Sequence, residues 1–190
     1  MERSYIVEKE FNKIDFAKEP MQMGDYEDCH FINCNFSNVE LSQFQFSDCV
    51  FVTCNLAMAK IIGTTLQNCK FTDCKLTGLH FEHCDPLLFS VAFDNCDLTL
   101  SSFYKLKMPK TNFNNCRLKH SDFAEADVSS ASFINCDMEG AIFDNTKLEK
   151  ADLRSAINYI IDPEKNKIKK AKFSAPGLPG LLAKYQLDIE

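Results

Sequence analysis

Ten cysteines are the residues in this sequence best suited to chemistry: Cys29, Cys34, Cys49, Cys54, Cys69, Cys74, Cys84, Cys96, Cys116 and Cys136. In a small secreted chain such a number reads as a disulfide framework, and in an intracellular chain as metal ligands. Zinc needs four donors converging on one point. The spacing points elsewhere, because Cys29, Cys49 and Cys69 lie 20 residues apart, as do Cys34, Cys54 and Cys74, and Cys96, Cys116 and Cys136. Side chains set by a structural repeat stack in a line at about 4.8 Å. The cysteines therefore read as core rungs, used as small buried hydrophobes. His80, His83 and Cys84 form the one other dense group. His80 is expected to face out, His83 to sit at a corner and Cys84 to face in, so the three share no side. Phosphate-binding glycine loops, nucleophile elbows and HExxH motifs are absent. No catalytic residue, metal or cofactor is expected.

The elements that hold these residues follow from a five-residue period. Large apolar residues recur from Phe11 through Phe16, Met21, Tyr26, Phe31 and onward to Phe81, and again from Leu88 through Phe93, Leu98, Phe103 and onward to Leu153. A period of five fits neither a strand nor an α-helix. Two residues before each of these centres the side chain is usually small: every cysteine but Cys84, which lies at the break, falls there, with Ala59, Thr64, Ser101, Ser121 and Ala126 among the rest. Each unit thus buries one large and one small side chain. The 20-residue spacing of the cysteines is four such units, which gives a coil of four sides with like residues stacked between coils. The two series differ in phase by two residues. Two inserted residues near Cys84–Leu87 rejoin them, stacking Phe71 on Phe93 and Cys74 on Cys96. Pro86, which has no N–H for a ladder, suits that bulge. About seven coils at about 4.8 Å per coil make a rod roughly 35 Å long.

Composition bounds what such a rod can do. The chain has 190 residues, 45% of them apolar, with 17 phenylalanines and no tryptophan. A net charge of −6 argues against general affinity for nucleic acid or for an anionic membrane, both of which call for a basic face. There is no apolar run long enough to span a bilayer and no signal-peptide core at the N-terminus, so a cytoplasmic location is expected. A core filled by its own phenylalanines leaves no ligand pocket. The fold expected is all-β, a four-sided β-helix. Residues 1–10 should cap it, 11–156 should form it with a two-residue bulge near 84–88, and 157–190 should make a C-terminal cap and dimerisation segment.

The C-terminal segment carries an apolar stripe. Leu178, Leu181, Leu182 and Tyr185 are spaced as one face of a helix of about nine residues, with Leu187 and Ile189 following at alternate positions. So short a helix does not stand alone in water. It packs on the last coil or on a second chain, and a solenoid end is well placed for a two-fold contact.

The units Asn-Cys-Asn-Phe at 33–36, Asn-Cys-Asp-Leu at 95–98 and Ala-Asp-Leu at 151–153 resemble the pentapeptide-repeat superfamily. That resemblance implies a right-handed quadrilateral β-helix. The stretch from Ile161 to Ser174 with the leucine-rich segment after it, and the broken repeat from Cys84 to Phe89, are similar to the quinolone-resistance (Qnr) group. The resemblance implies a head-to-head dimer through the C-terminal segments. It also implies binding to DNA gyrase or topoisomerase IV as a duplex mimic. Many members carry loops projecting from the coils; here the first series is unbroken, as in loop-free members.

Mimicry of a duplex needs acidic surface. A duplex carries roughly 20 charges over 35 Å, so a net −6 restricts any mimicry to a patch. Residues 120–146 hold Asp122, Glu125, Asp127, Asp137, Glu139 and Asp144 without a lysine or arginine. They lie near the implied dimer centre and are the expected partner contact. Residues 19–59 hold a second such set, Glu19, Asp25, Glu27, Asp28, Glu40 and Asp48. The plain alternative for all of them is a solvated acidic surface that keeps the protein soluble. The functional alternative is a repeat scaffold for an unrelated protein partner.

Overall fold

A chain that buries two of every five residues must turn a corner between units. The backbone of the computed structural model, which describes residues 3–188, makes those corners with left-handed residues. Asn33, Asn38, Asp48 and Asn115, each two residues after a centre, have φ of 54°, 58°, 55° and 53°. Asn and Asp reach this region at the least cost among residues with a Cβ, which accounts for their abundance. At Phe36–Val39 the Val39 N–H donates to the Phe36 carbonyl at 3.0 Å, closing a turn that requires positive φ at its third residue, Asn38. Leu100 and Lys105 are held at 60° and 59°. Bonds to the next coil hold them there, from Leu100 N–H to the Lys119 carbonyl at 2.9 Å and from Lys105 N–H to the Ala124 carbonyl at 3.0 Å.

Short parallel strands run along two of the sides. One sheet joins β1 (Ser4–Val7), β3 (Gly24–Glu27), β5 (Gln45–Ser47) and β7 (Thr65–Gln67) in that order. The other joins β2 (Glu10–Asn12), β4 (His30–Ile32), β6 (Val50–Val52), β8 (Cys69–Thr72), β9 (Val91–Asp94), β10 (Asn112–Asn114) and β11 (Ser132–Ile134). The remaining sides are held by single bridges such as Asp97↔Arg117 and Ser102↔Asp122. The result is the four-sided parallel β-solenoid expected from the repeat.

Phenylalanine rings form its axis. Phe11, Phe31, Phe51, Phe71, Phe93, Phe113 and Phe133 stack with successive centroid separations of 4.9, 4.8, 4.8, 5.5, 5.2 and 5.0 Å. A second stack of Phe81, Phe103, Phe123 and Phe143 meets the first edge-on, as at Phe113–Phe123, 5.9 Å and 83°. Aromatic rings favour both the offset stack and the edge contact. All ten cysteines are buried and free. Among the described residues nine of the thiols, all but that of Cys84, donate to backbone carbonyls, Cys54 to Phe31 at 3.2 Å and Cys136 to Phe113 at 3.3 Å among them. Burial pushes the Cys49 thiol up to about 12 and Cys69 well above its ordinary value.

Four details depart from expectation. The first coil starts at Ser4 rather than after residue 10: β1 pairs with β3, placing Ile6 opposite Tyr26. Ile6 lies one unit before Phe11, and a single apolar residue at a chain end does not stand out as a repeat. At the other end the ladder continues past 156, through Lys147↔Lys167 and Asp152↔Lys172. Within the bulge, Leu88 is not a core residue. It is 48% exposed and Phe89 fills the place, edge-on to Phe81 at 6.1 Å. Lastly, the nine-residue helix is broken into a 3-10 turn at Ala175–Gly177, α1 (Pro179–Leu182) and a 3-10 turn at Ala183–Tyr185. Pro176, Gly177, Pro179 and Gly180 deny it a continuous hydrogen-bond ladder, and Gln186, at φ 50°, ends it.

Candidate partner-binding surface

The outward positions stack into columns, so each acidic side chain has neighbours 20 residues away in sequence. Asp122 lies in the column Ser102, Asp122, Ile142, beside the Phe123 stack. Asp127 lies on the next side, between Lys107 and Lys147. Asp137 lies on a third, between Arg117 and Ile157. The six acids of residues 120–146 are therefore spread around the rod rather than gathered. Asp122 and Asp144 flank one side, Glu125 is at its corner, Asp127 lies beyond that corner, and Asp137 and Glu139 share the side before it.

Columns also bring lysines to stretches that hold none. Lys119 Nζ reaches Glu139 at 2.6 Å and Asp137 at 3.2 Å. Lys147 Nζ lies 3.3 Å from Asp127, and Lys105 Nζ 3.6 Å from Glu125, which also accepts the Tyr104 hydroxyl at 3.0 Å. Glu139 and then Asp137 hold the Lys119 ammonium above its ordinary value. Burial pushes Asp127 upward, but its bonds from Ser129 and the charge of Lys147 outweigh it and hold the carboxyl below its ordinary value. At Asp137 burial is likewise outweighed, by Asn158 and Lys119. Of the six, Asp122 and Asp144 have no ion-pair partner among the described residues.

Three of the acids also have a backbone duty that charge alone does not reveal. The Asp122 carboxylate accepts the Ala124 N–H at 2.8 Å, Asp127 accepts Ser129 N–H at 3.1 Å, and Asp137 accepts Glu139 N–H at 3.3 Å. Asn35, Asn55, Asp97 and Asp152 do the same two residues on. Asp and Asn side chains close such turns readily. The signal in the sequence is an Asp or Asn immediately before a centre. Among the described residues Glu125, Glu139 and Asp144 make no such bond, and of these Asp144 alone is also without a lysine partner.

At the C-terminal end the apolar stripe divides. Leu181 packs against the core and Leu182 is half-buried, whereas Leu178, Tyr185 and Leu187 are exposed. Ile189 lies outside the described residues. The segment is pinned by Lys184, whose ammonium bridges Asp162 at 2.8 Å and Glu164 at 2.6 Å and is held above its ordinary value by both. Gly180 sits directly on the Tyr159 backbone, where a side chain would not fit. The exposed apolar residues thus stand on a segment fixed to the last coil. No helix among the described residues is long and apolar enough to cross a membrane.

Comparison with known proteins agrees with this architecture. The model of the pentapeptide repeat region matches residues 25–86 and 87–160. No curated protein matches the sequence. Among solved structures, two trypsin-treated variants of QnrB1, a plasmid-mediated fluoroquinolone resistance protein, are similar. One is 20% identical, with 98% of this chain and 92% of that chain covered and a TM-score of 0.58. The other is 19% identical, with 99% and 98% covered and a TM-score of 0.51. HetL, a pentapeptide repeat protein involved in heterocyst differentiation regulation from the cyanobacterium Nostoc, is 16% identical over 88% of this chain and 84% of its own, with a TM-score of 0.41.

Proposed function

The chain belongs to the pentapeptide-repeat family, and on that premise we propose that it is a non-catalytic binding protein that engages DNA gyrase or topoisomerase IV and protects it from a quinolone or a peptide toxin. The observation that carries this reading is the end-to-end likeness of its rod to that of QnrB1, a fluoroquinolone resistance protein, over 98% of this chain. The packed phenylalanine axis supports it as well, since the rod works through its outside. Leu178, Tyr185 and Leu187, exposed on the pinned terminal segment, supply the surface for a two-fold contact between copies. A C2 contact there doubles the rod's length.

The partner surface is best placed on the side of Asp122 and Asp144, where carboxylates remain without a lysine. Asp137 and Glu139, already neutralised by Lys119, contribute less. The test is affinity for the purified topoisomerase. Asp122→Asn with Asp144→Asn, which keeps the turn at Asp122, weakens binding several-fold at low salt and less at high salt. The pair Asp137→Asn with Glu139→Gln changes it little. Equal effects of the two pairs count against this surface. The mixed charge around the remaining acids favours a second reading, a scaffold for an unrelated protein partner. That reading gains if the rod binds no topoisomerase at all.

A further inference from the structure

One edge of the rod carries a charge order that the proposed function does not use. The corner residues between the side of Val128 and the side of Phe133 stack in a single column. From the N-terminal end it reads Glu8, Asp28, Asp48, Asn68, Ser90, Lys110, Ser130, Lys150 and Lys170, all exposed. Links along it include Asn68 Nδ2 to Asp48 Oδ1 at 3.1 Å and Ser90 Oγ to Asn68 Oδ1 at 3.2 Å. Neither the three acids nor the three lysines have an ion-pair partner among the described residues. The neighbouring column adds Lys107, Lys147 and Lys167 to the basic end, with Asp127 among them, while its Asp25 at the other end is paired with Arg3. Beside Ser90, midway along, the bulge holds Leu87 and Leu88 out to solvent, 84% and 48% exposed.

Like charges on neighbouring rungs about 4.8 Å apart repel, so each end of the edge gains from an opposite charge laid against it. The order reverses about Ser90. A second copy turned end for end about a two-fold axis there sets Glu8 against Lys170 and Asp28 against Lys150, each pair made twice. It also brings the two Leu87–Leu88 bumps to the axis. A parallel alignment sets like on like. We propose that this edge is a lateral contact surface for a second copy of the chain, packed antiparallel and held by charge. It uses a different edge from the Asp122–Asp144 side and a different region from Leu178 and Tyr185, so it stands independently of the proposed function.

Sedimentation of the full chain at low and high salt, about 20 mM and about 500 mM, brackets the screening of exposed charges. The expected result is a larger mass at low salt than at high salt, twice it where the high-salt state is a single chain and an open series where the chains already pair through their C-terminal ends. Two variants make the test specific: Glu8→Lys with Asp28→Lys, and Lys150→Glu with Lys170→Glu. Both kinds of residue suit these corners, since Lys105 and Glu125 hold the same left-handed φ, 59° and 56°. Each variant alone keeps the high-salt mass at low salt, and an equimolar mixture regains the low-salt mass of the parent. A mass that does not respond to salt overturns the proposal, as does a mixture that stays apart. So does a short DNA duplex or an acidic protein that takes up the lysine end while the rod itself does not associate.

Discussion

Phe71 and Phe93 stack at 5.5 Å although 22 residues separate them, where every other step of their ladder spans 20. The two extra residues leave the core through Leu87 and Leu88 without breaking the axis. Deleting Pro86 and Leu87 together, which sets Leu88 at the centre two places before Ser90, should therefore leave the circular dichroism spectrum and melting temperature close to those of the parent. Phe93→Ala, which empties the ladder at the same rung, should cost about 3–5 kcal/mol in denaturant unfolding.

The thiols offer a second check. All ten are free and buried, and burial holds Cys49 and Cys69 above the ordinary thiol value. Since the thiolate is the reactive form, Ellman's reagent at pH 8 should find essentially no reactive thiol in the native protein. After unfolding in guanidinium without reductant it should find all ten. Fewer than ten would mean that rungs are bridged.

Asp127 has two roles that a pair of substitutions separates. Its carboxylate accepts the Ser129 N–H and faces Lys147. Asp127→Asn should keep the turn and nearly all the stability, whereas Asp127→Ala should lose about 1 kcal/mol in thermal unfolding, the net worth of a hydrogen bond.

Acid should weaken the coil that carries Asp152. The Arg154 guanidinium, bonded to Asp152 at 2.7 and 3.0 Å, holds that carboxyl at about 2. A carboxylate depressed in the folded state contributes stability that is present above its ordinary value, near 3.9, and lost as pH falls toward the folded value. Stability should therefore decline between about pH 4 and about pH 2. Asp152→Asn, which keeps the turn bond to Arg154 N–H, should flatten that limb. An unchanged limb would place the acid sensitivity elsewhere.

Much of the fold was legible because it is periodic. Cys34, Cys54 and Cys74 and the phenylalanines beside them repeat every 20 residues, and only four sides bring both into register across the bulge. What periodicity does not reach was missed. Inside the bulge the choice between Leu88 and Phe89 depends on how four residues bend, and at the end Ile6 is a repeat of one. The terminal helix was read from leucine spacing, while Pro176, Pro179 and Gly180 decided its backbone. Among the acids, charge was visible and context was not. Lys119 lies 20 residues before Glu139 and so on the neighbouring rung, and Asp122, Asp127 and Asp137 sit immediately before a centre, where they close turns. Both signals were in the sequence, but they emerge only when it is folded onto four columns.

The most direct test of the proposed protection is DNA supercoiling by purified gyrase at an inhibitory concentration of ciprofloxacin, titrated with this protein. Supercoiled product should return as the rod is added, and the Asp122→Asn, Asp144→Asn variant should require several-fold more protein for the same recovery. If activity in the presence of the drug stays at its inhibited level across the titration, and gyrase without drug is equally unaffected, the chain does not act on this enzyme.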